Sequence, residues 1–515
     1  MSRLFLPCLL VAPFSLAGAQ GDPATVERII DRGKHNNQVM VRLRDITDIG
    51  PRLTGSPNLY RAQLWAMSQF RKWGLKDVRL EKWGEVPVGF ERGSRQVGRM
   101  VRPFLSDFQF TTPNWAPGTN GLVRAKAVAA PKTLEELQQR QASLKGAWLV
   151  LEGNAGMRGA RMPDGELKKA LDAAGIAGYV SGAADERVHS HGTWRDKSYD
   201  VRPKDLQITV RKSDYDRIVR NIRFGREVEL EFDIENRWFK GPVPQYNVVA
   251  DIKGTERPDE MVIVCGHFDS WNSPGSQGAN DNGTGSATAM EAARLLMAAG
   301  AKPKRTIRFV LWSGEEQGLL GSRGYVATHK DEMDKISAVL NDDGGTGYHG
   351  GYVGIETMKE AMEAAFAPTV RAFPEFPMEF SVAKQMPAGG SSDHAPFNWE
   401  GVPGFFTMEK GEKANYGKVW HTQFDRYEEA VPEYLVQSST NHAIVAYNLA
   451  CAPTLLARGP KPERRRDAIK IEPVGADHVY ESPDLHDGDH DHSDDYILEL
   501  VDRVKRAAAA NFGLR

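Results

Sequence analysis

The 515-residue sequence predicts an α/β protein: a mostly parallel mixed sheet with helices on both faces, plus an inserted β-rich domain. Three observations carry the prediction. Beyond Pro244 the runs Met261–Cys265, Thr306–Trp312 and Ile336–Leu340 are apolar along their whole length, as strands are when both faces of their sheet are buried. Helix-periodic stretches, Thr284–Ala299 and Leu319–His329, separate them, and strands that alternate with helices pair in parallel. Between about Asn120 and Trp238 the texture shifts to short strand-like runs, over a length typical of a small domain.

Taken in order, residues 1–19 read as an export signal. Arg3 precedes the apolar stretch Leu4–Phe14, and Ala17-Gly18-Ala19 supplies a small-x-small cleavage pattern. Pro7 and Pro13 oppose a buried helix there, so the expectation is a secreted or periplasmic protein. Residues 20–119 open the main domain, with helical periodicity over Pro23–Lys34 and Leu59–Trp73. Gly74-Leu75 then turns the chain into the alternating strand Val78–Trp83. Residues 120–238 form the insertion, with strand-like Ala147–Leu151, Gln207–Val210 and Val228–Phe232 around a helical stretch near Glu166–Ala174. Residues 239–455 hold the main part of the α/β domain. Residues 456–515 form a charged extension: Pro460–Arg466 is basic, Asp477–Asp495 has eight acids, four histidines and no Lys or Arg, and Leu498–Phe512 has the pattern of a short helix. An acidic stretch so poor in apolar residues is expected to be loosely ordered.

Composition excludes several classes. With 66 Lys+Arg against 68 Asp+Glu the net charge is −2, so no basic field exists to hold nucleic acid. No apolar run beyond the N-terminus approaches the ~20 residues of a membrane-spanning helix. Cys8 leaves with the signal; Cys265 and Cys451 do not make a disulfide scaffold, and Cys265, in an apolar strand, is expected to be a free buried thiol. The sequence leaves a homodimer open.

The chemistry concentrates where strands end. Met261–Cys265 runs into Gly266-His267-Phe268-Asp269, which places His267 at the strand terminus and an acid two residues on, able to accept the other imidazole N–H. Asp281 sits in the Gly-rich turn Gly278–Gly285 before a helix, where a plain N-cap is the competing reading. Thr306–Trp312 runs into Ser313-Gly314-Glu315-Glu316, where the competing reading is a capping box; adjacent buried carboxylates otherwise call for a cation or a shared proton. Ile336–Leu340 leads into Asn341-Asp342-Asp343, and His421 follows Trp420. Each signal alone has a bland explanation, but strand-terminal groups on successive strands of one sheet converge on one edge. Two histidines and three carboxylates suit two zinc ions sharing one carboxylate, with one glutamate left free as a base. Magnesium and calcium prefer all-oxygen sets.

This order, His-x-Asp, Asp in a Gly-rich turn, Glu-Glu, Asp and His, resembles the co-catalytic zinc exopeptidases of clan MH, a family that includes leucyl aminopeptidases and glutamate carboxypeptidase II. The resemblance covers most of Pro23–Cys451 and not the tail. It implies the zinc exopeptidase fold, a protease-associated-like insertion, two zinc ions per chain, and a peptide or dipeptide substrate cleaved by an activated water. Residue by residue it implies Asp281 as the carboxylate bridging both zincs, Glu316 and His421 completing one site, and His267 with Asp343 the other. Glu315 would be the general base and acid, Asp269 the orienting acid behind His267, and Asp393, in Ser391-Ser392-Asp393-His394, a contact to a substrate terminus. Asp343 is preferred to Asp342 on the family spacing. Two departures stand out: Asn282 replaces a second acid after the bridge, and the turn Asn272-Ser273-Pro274 is longer than in near relatives. Related functions on this fold are glutaminyl cyclisation with one zinc and receptor-like relatives with degraded ligands.

Overall fold

The computed structural model describes residues 21–155, 162–387, 389, 391–461 and 479–480. The expected export signal lies outside these residues, as do nearly all of the acidic tail and the helix expected at Leu498–Phe512.

A single sheet runs through the molecule. At one end its strands lie in the order Gly404–Phe406, Ile336–Asn341, Arg257–His267, Arg305–Trp312 and Glu229–Ile252. The first four pair in parallel, and Glu229–Ile252 pairs antiparallel both with Arg305–Trp312 and with Lys76–Arg102. The registers Trp312↔His267 and Asn341↔Cys265 bring three carboxyl ends to one edge. Side-chain alternation divides the core: Val262, Val264, Ile307, Phe309, Ala338 and Leu340 meet the helices Pro57–Lys72, Thr284–Ala298 and Pro432–Cys451 on one face. Ile263, Cys265, Val310 and Trp312 meet Tyr325 and Phe397 on the other. Cys265 and Cys451 are free and buried. A three-stranded side sheet, Tyr348–Gly354 flanked by Glu379–Val382 and Met408–Lys410, packs beside the main one.

The insertion continues the same sheet. Val123–Ala129 pairs with residues 229–232, and Trp148–Ala155, Gly178–Ala183 and Gln207–Val210 follow in parallel. Its own core sits on both faces, around Trp148, Val180 and Phe232 on one side and Leu149, Leu171 and Tyr179 on the other. The boundary expected at 238/239 falls inside the unbroken 24-residue strand Glu229–Ile252. The insertion is therefore tied to the main sheet by backbone ladders, not by a linker. Val479–Tyr480 adds a short antiparallel pairing against Leu80 and Glu81.

Candidate metal centre

His267 ends its strand fully buried, with Nε2 3.0 Å from Asp343 Oδ1 and 3.3 Å from Asp281 Oδ1. On the other side His421 Nε2 lies 3.2 Å from Asp281 Oδ2 and 3.0 Å from Glu316 Oε2. Asp281 thus divides its two oxygens between two half-sites, each completed by one imidazole and one further carboxylate; both triads have the spacing of cation ligands. Glu315 stands apart, its nearest oxygen 4.0 Å from His267 Nε2.

Neither competing local explanation is what the backbone does. The helix Thr284–Ala298 has Gly283 at its cap position, and it is Asn282 Oδ1 that accepts the Gly285 N–H at 3.0 Å, leaving the Asp281 carboxylate free of that duty. Asn282 Nδ2 also donates to Asp342 O at 2.7 Å, so the residue that departs from the family pattern ties two ligand-bearing turns together. Close approach explains the glycines of this turn: a Cβ on Gly285 would come within 2.3 Å of Asp342 O, and one on Gly278 (φ +62°) within 2.2 Å of Ser270 Oγ. Ser313 forms no capping box with Glu316; its hydroxyl receives the Trp83 indole N–H and donates to Tyr246 O, and the next helix begins only at Leu320.

Asp269 touches both the imidazole and the Glu-Glu turn. His267 Nδ1 is 3.0 Å from the Asp269 backbone oxygen and 3.7 Å from its carboxylate. The carboxylate, which pairs with His267 Nδ1 at that distance, also accepts the N–H groups of Glu315 (3.2 Å) and Glu316 (3.3 Å) and the Thr54 hydroxyl (2.9 Å), fixing the Glu-Glu turn. Asp393 is completely buried, receives the Ser322 hydroxyl and is pushed up to about 8 by burial. Of the aspartate pair, Asp343 faces His267 while Asp342 faces His349 at 2.9 Å.

The electrostatics are those of excess buried acid. Burial raises Glu315 well above the carboxylate range, opposed by His267. Burial and Asp281 push Glu316 up to about 7 against the pull of His421. Burial raises Asp343 too. The histidines answer them: burial alone would lower both, yet Asp343 and Glu315 hold His267 well above its usual value, and Glu316 and Asp281 push His421 up to about 10. None of these four carboxylates is in contact with a Lys or Arg among the described residues. Asp281 Oδ2 and Glu316 Oε1 are buried without a hydrogen bond. Orphaned acceptors beside imidazoles fit a divalent cation of borderline hardness.

Several supporting residues give no linear signal. Arg52 is completely buried and donates to the carbonyls of Phe268 (2.7 Å), Gln277 (3.3 Å) and Gly278 (2.6 Å). Trp420 stacks on His421 at 4.1 Å and Trp271 meets it edge-on at 5.8 Å. The insertion also reaches the centre. Ser190 N–H donates to His421 O at 2.7 Å, Val188 N–H to Gln423 Oε1 at 2.9 Å, and Gln423 returns a bond to Glu186 O. His421 itself has φ +58°, a conformation a non-glycine residue keeps only when its surroundings impose it.

Residues 247–445 match the model described as peptidase family M28. The chain is 28% identical over 435 residues to carboxypeptidase Q of Mus musculus, covering 83% of this chain and 88% of that one. It is 27% identical over 432 residues, with the same coverage, to carboxypeptidase Q of Homo sapiens. The crystal structure of a peptidase M28 precursor from Shewanella amazonensis superposes with a TM-score of 0.62 at 24% identity, over 85% of this chain and 98% of that one. A zinc aminopeptidase from Bacillus subtilis, BSAP, gives 0.52 at 21%, over 80% and 94%. These two likenesses establish the fold.

Proposed function

With residues 247–445 matching peptidase family M28 and the protein a zinc metallopeptidase, we propose that it is an exopeptidase that hydrolyses short peptides or dipeptides, using two zinc ions and a glutamate base. The observation that carries this is the divided carboxylate of Asp281, with one imidazole and one acid on each side. His267 and Asp343 would hold one ion, His421 and Glu316 the other, and Asp281 both. When bound, the pair supplies Lewis acidity to the scissile carbonyl and acidifies a water.

The chain's own residues do the rest. Glu315, raised by burial and held by the Asp269 carboxylate through its N–H, is poised to take the proton of the attacking water and return it to the leaving amine. Asp269 grips both N–H groups of the Glu-Glu turn, so it sets the angle between base and ligand. The segment around Val188 and Ser190 lies against His421 and walls one side of the centre, which supports short substrates bound by one end. Asp393, enclosed behind Ser322, takes no substrate contact in this reading. The apolar stretch behind Arg3 supports export of the enzyme.

Metal analysis and turnover of two variants test the assignment. Glu315→Gln is expected to keep both zincs and lose about 10²–10⁴-fold in kcat, because the amide cannot accept a proton. Glu316→Gln is expected to lose metal instead. Exchanged effects would reverse the two roles, and full activity at a single zinc would overturn the pair.

A further inference from the structure

The turn after Ile336–Asn341 carries two aspartates, and the backbone sends them to opposite sides. Asp343 faces His267. Asp342 faces a second group, buried and unused by the reading above: its Oδ2 lies 2.9 Å from His349 Nε2 and 4.0 Å from His442 Nδ1. His349 and His442 are wholly inaccessible, their rings 4.4 Å apart, and Asp342 is almost so. The Glu409 carboxyl lies against Asp342. The Asp342 turn, the strand Tyr348–Gly354 that follows it and the middle of the distant helix Pro432–Cys451 contribute.

This packing leaves polar atoms unanswered. Among the described residues, neither ring nitrogen of His442 has a hydrogen-bond partner, and Asp342 Oδ1 has none. Interiors seldom leave such atoms bare; an ordered water or an ion usually meets them. Two imidazoles and the Asp342 carboxylate have the spacing of cation ligands, with no Lys or Arg in contact among the described residues, and are a donor set for a zinc-class cation. The surroundings of His349 suit a ligand as well. Its Nδ1 is 3.1 Å from the Asn441 side-chain amide, whose oxygen is unpartnered. Exchanging the amide's nitrogen and oxygen, which look alike in outline, lets the ring N–H donate to Asn441 and frees Nε2 for a metal.

We propose that Asp342, His349 and His442 form a third and closed divalent-cation site that takes zinc and braces the Asp343 turn from behind. It uses none of the residues assigned to the catalytic pair.

The full chain, stripped by chelation, refilled with zinc and desalted, is to be analysed for metal per chain. Wild type should hold three, His442→Phe two, and the double variant His267→Ala/His421→Ala one, with histidine in its X-ray absorption spectrum. The zinc-dependent part of thermal stability should fall in His442→Phe. Equal metal content in wild type and His442→Phe, or none in the double variant, would mean an internal water only and overturn the site. A wild-type value of two with one retained by the double variant would keep this site and sink the catalytic pair, so the two readings fail separately. Should His442→Phe not fold, the double variant alone decides.

Discussion

Arg52 shows how much of the centre depends on a residue that touches no substrate. Its guanidinium bonds to carbonyls bracketing both His267 and Asp281, and Thr54, two residues on, bonds to Asp269. Burial pulls it down to about 10, while Asp425, Asp269 and Asp281 hold it up, so it remains a cation at neutral pH. Arg52→Lys keeps the charge and loses the planar fork. The expected result is a folded protein whose zinc affinity drops about 10–100-fold, the usual effect of losing an outer partner. Chelator competition measures it; an unchanged affinity would reduce Arg52 to packing. In the sequence, Gly50-Pro51-Arg52 reads as a loop, because nothing linear connects it to a turn more than 200 residues away. Strand-terminal His267, Glu315 and Glu316 were legible because a strand's end is itself a linear feature.

At the scale of elements, the join between the helix Leu320–Thr328 and the strand Lys76–Arg102 adds a charged contact to the apolar packing of Leu320 on Trp83. His329, just past the helix, lies 2.7 Å from Glu81 and 3.3 Å from Glu332. Burial would lower it, but the hydrogen bonds and charges of these two acids push it up to about 9. The folded value lies above the unfolded one, near 6.5, so the folded state holds the extra proton between them. The contribution is therefore complete below about pH 6.5 and fades as pH rises toward 9, amounting to about 2 kcal/mol once partial exposure is discounted. His329→Gln should flatten the fall in urea midpoint between pH 6.5 and 9. An equally steep fall in the variant would assign it to other groups.

For the whole molecule, the described chain stays engaged with the main domain as far as Lys461. Arg458 donates to the Met333 and Ile336 carbonyls, and a Cβ on Gly401 would meet the Lys461 side chain. Beyond it only Val479–Tyr480 is described, pairing at the sheet edge away from the candidate ligands. Truncation after Lys461 should therefore leave the rate on dipeptides within about twofold with zinc in excess, since an acidic stretch poor in apolar residues has little to fold around. A loss at limiting zinc alone would make the four tail histidines a metal scavenger. A loss at every zinc level would show that the tail docks on the enzyme.

The sequence by itself determined the α/β class, the alternation of Met261–Cys265, Thr306–Trp312 and Ile336–Leu340 with helices, and the clustering of acids and histidines at their ends. Period and composition are local properties, and side-chain burial acts on them residue by residue. Only the tertiary structure decided that Asp281 faces two half-sites, that Asn282 rather than Asp281 accepts the Gly285 N–H, and that the Asp269 carboxylate holds the Glu-Glu turn as well as facing His267. It also joined the insertion to the main sheet and pressed Ser190 against His421. Those outcomes depend on which oxygen or N–H lies nearest after the chain returns from far away. Hydrogen bonds lose their strength within a fraction of an ångström, and no spacing along the chain encodes that distance.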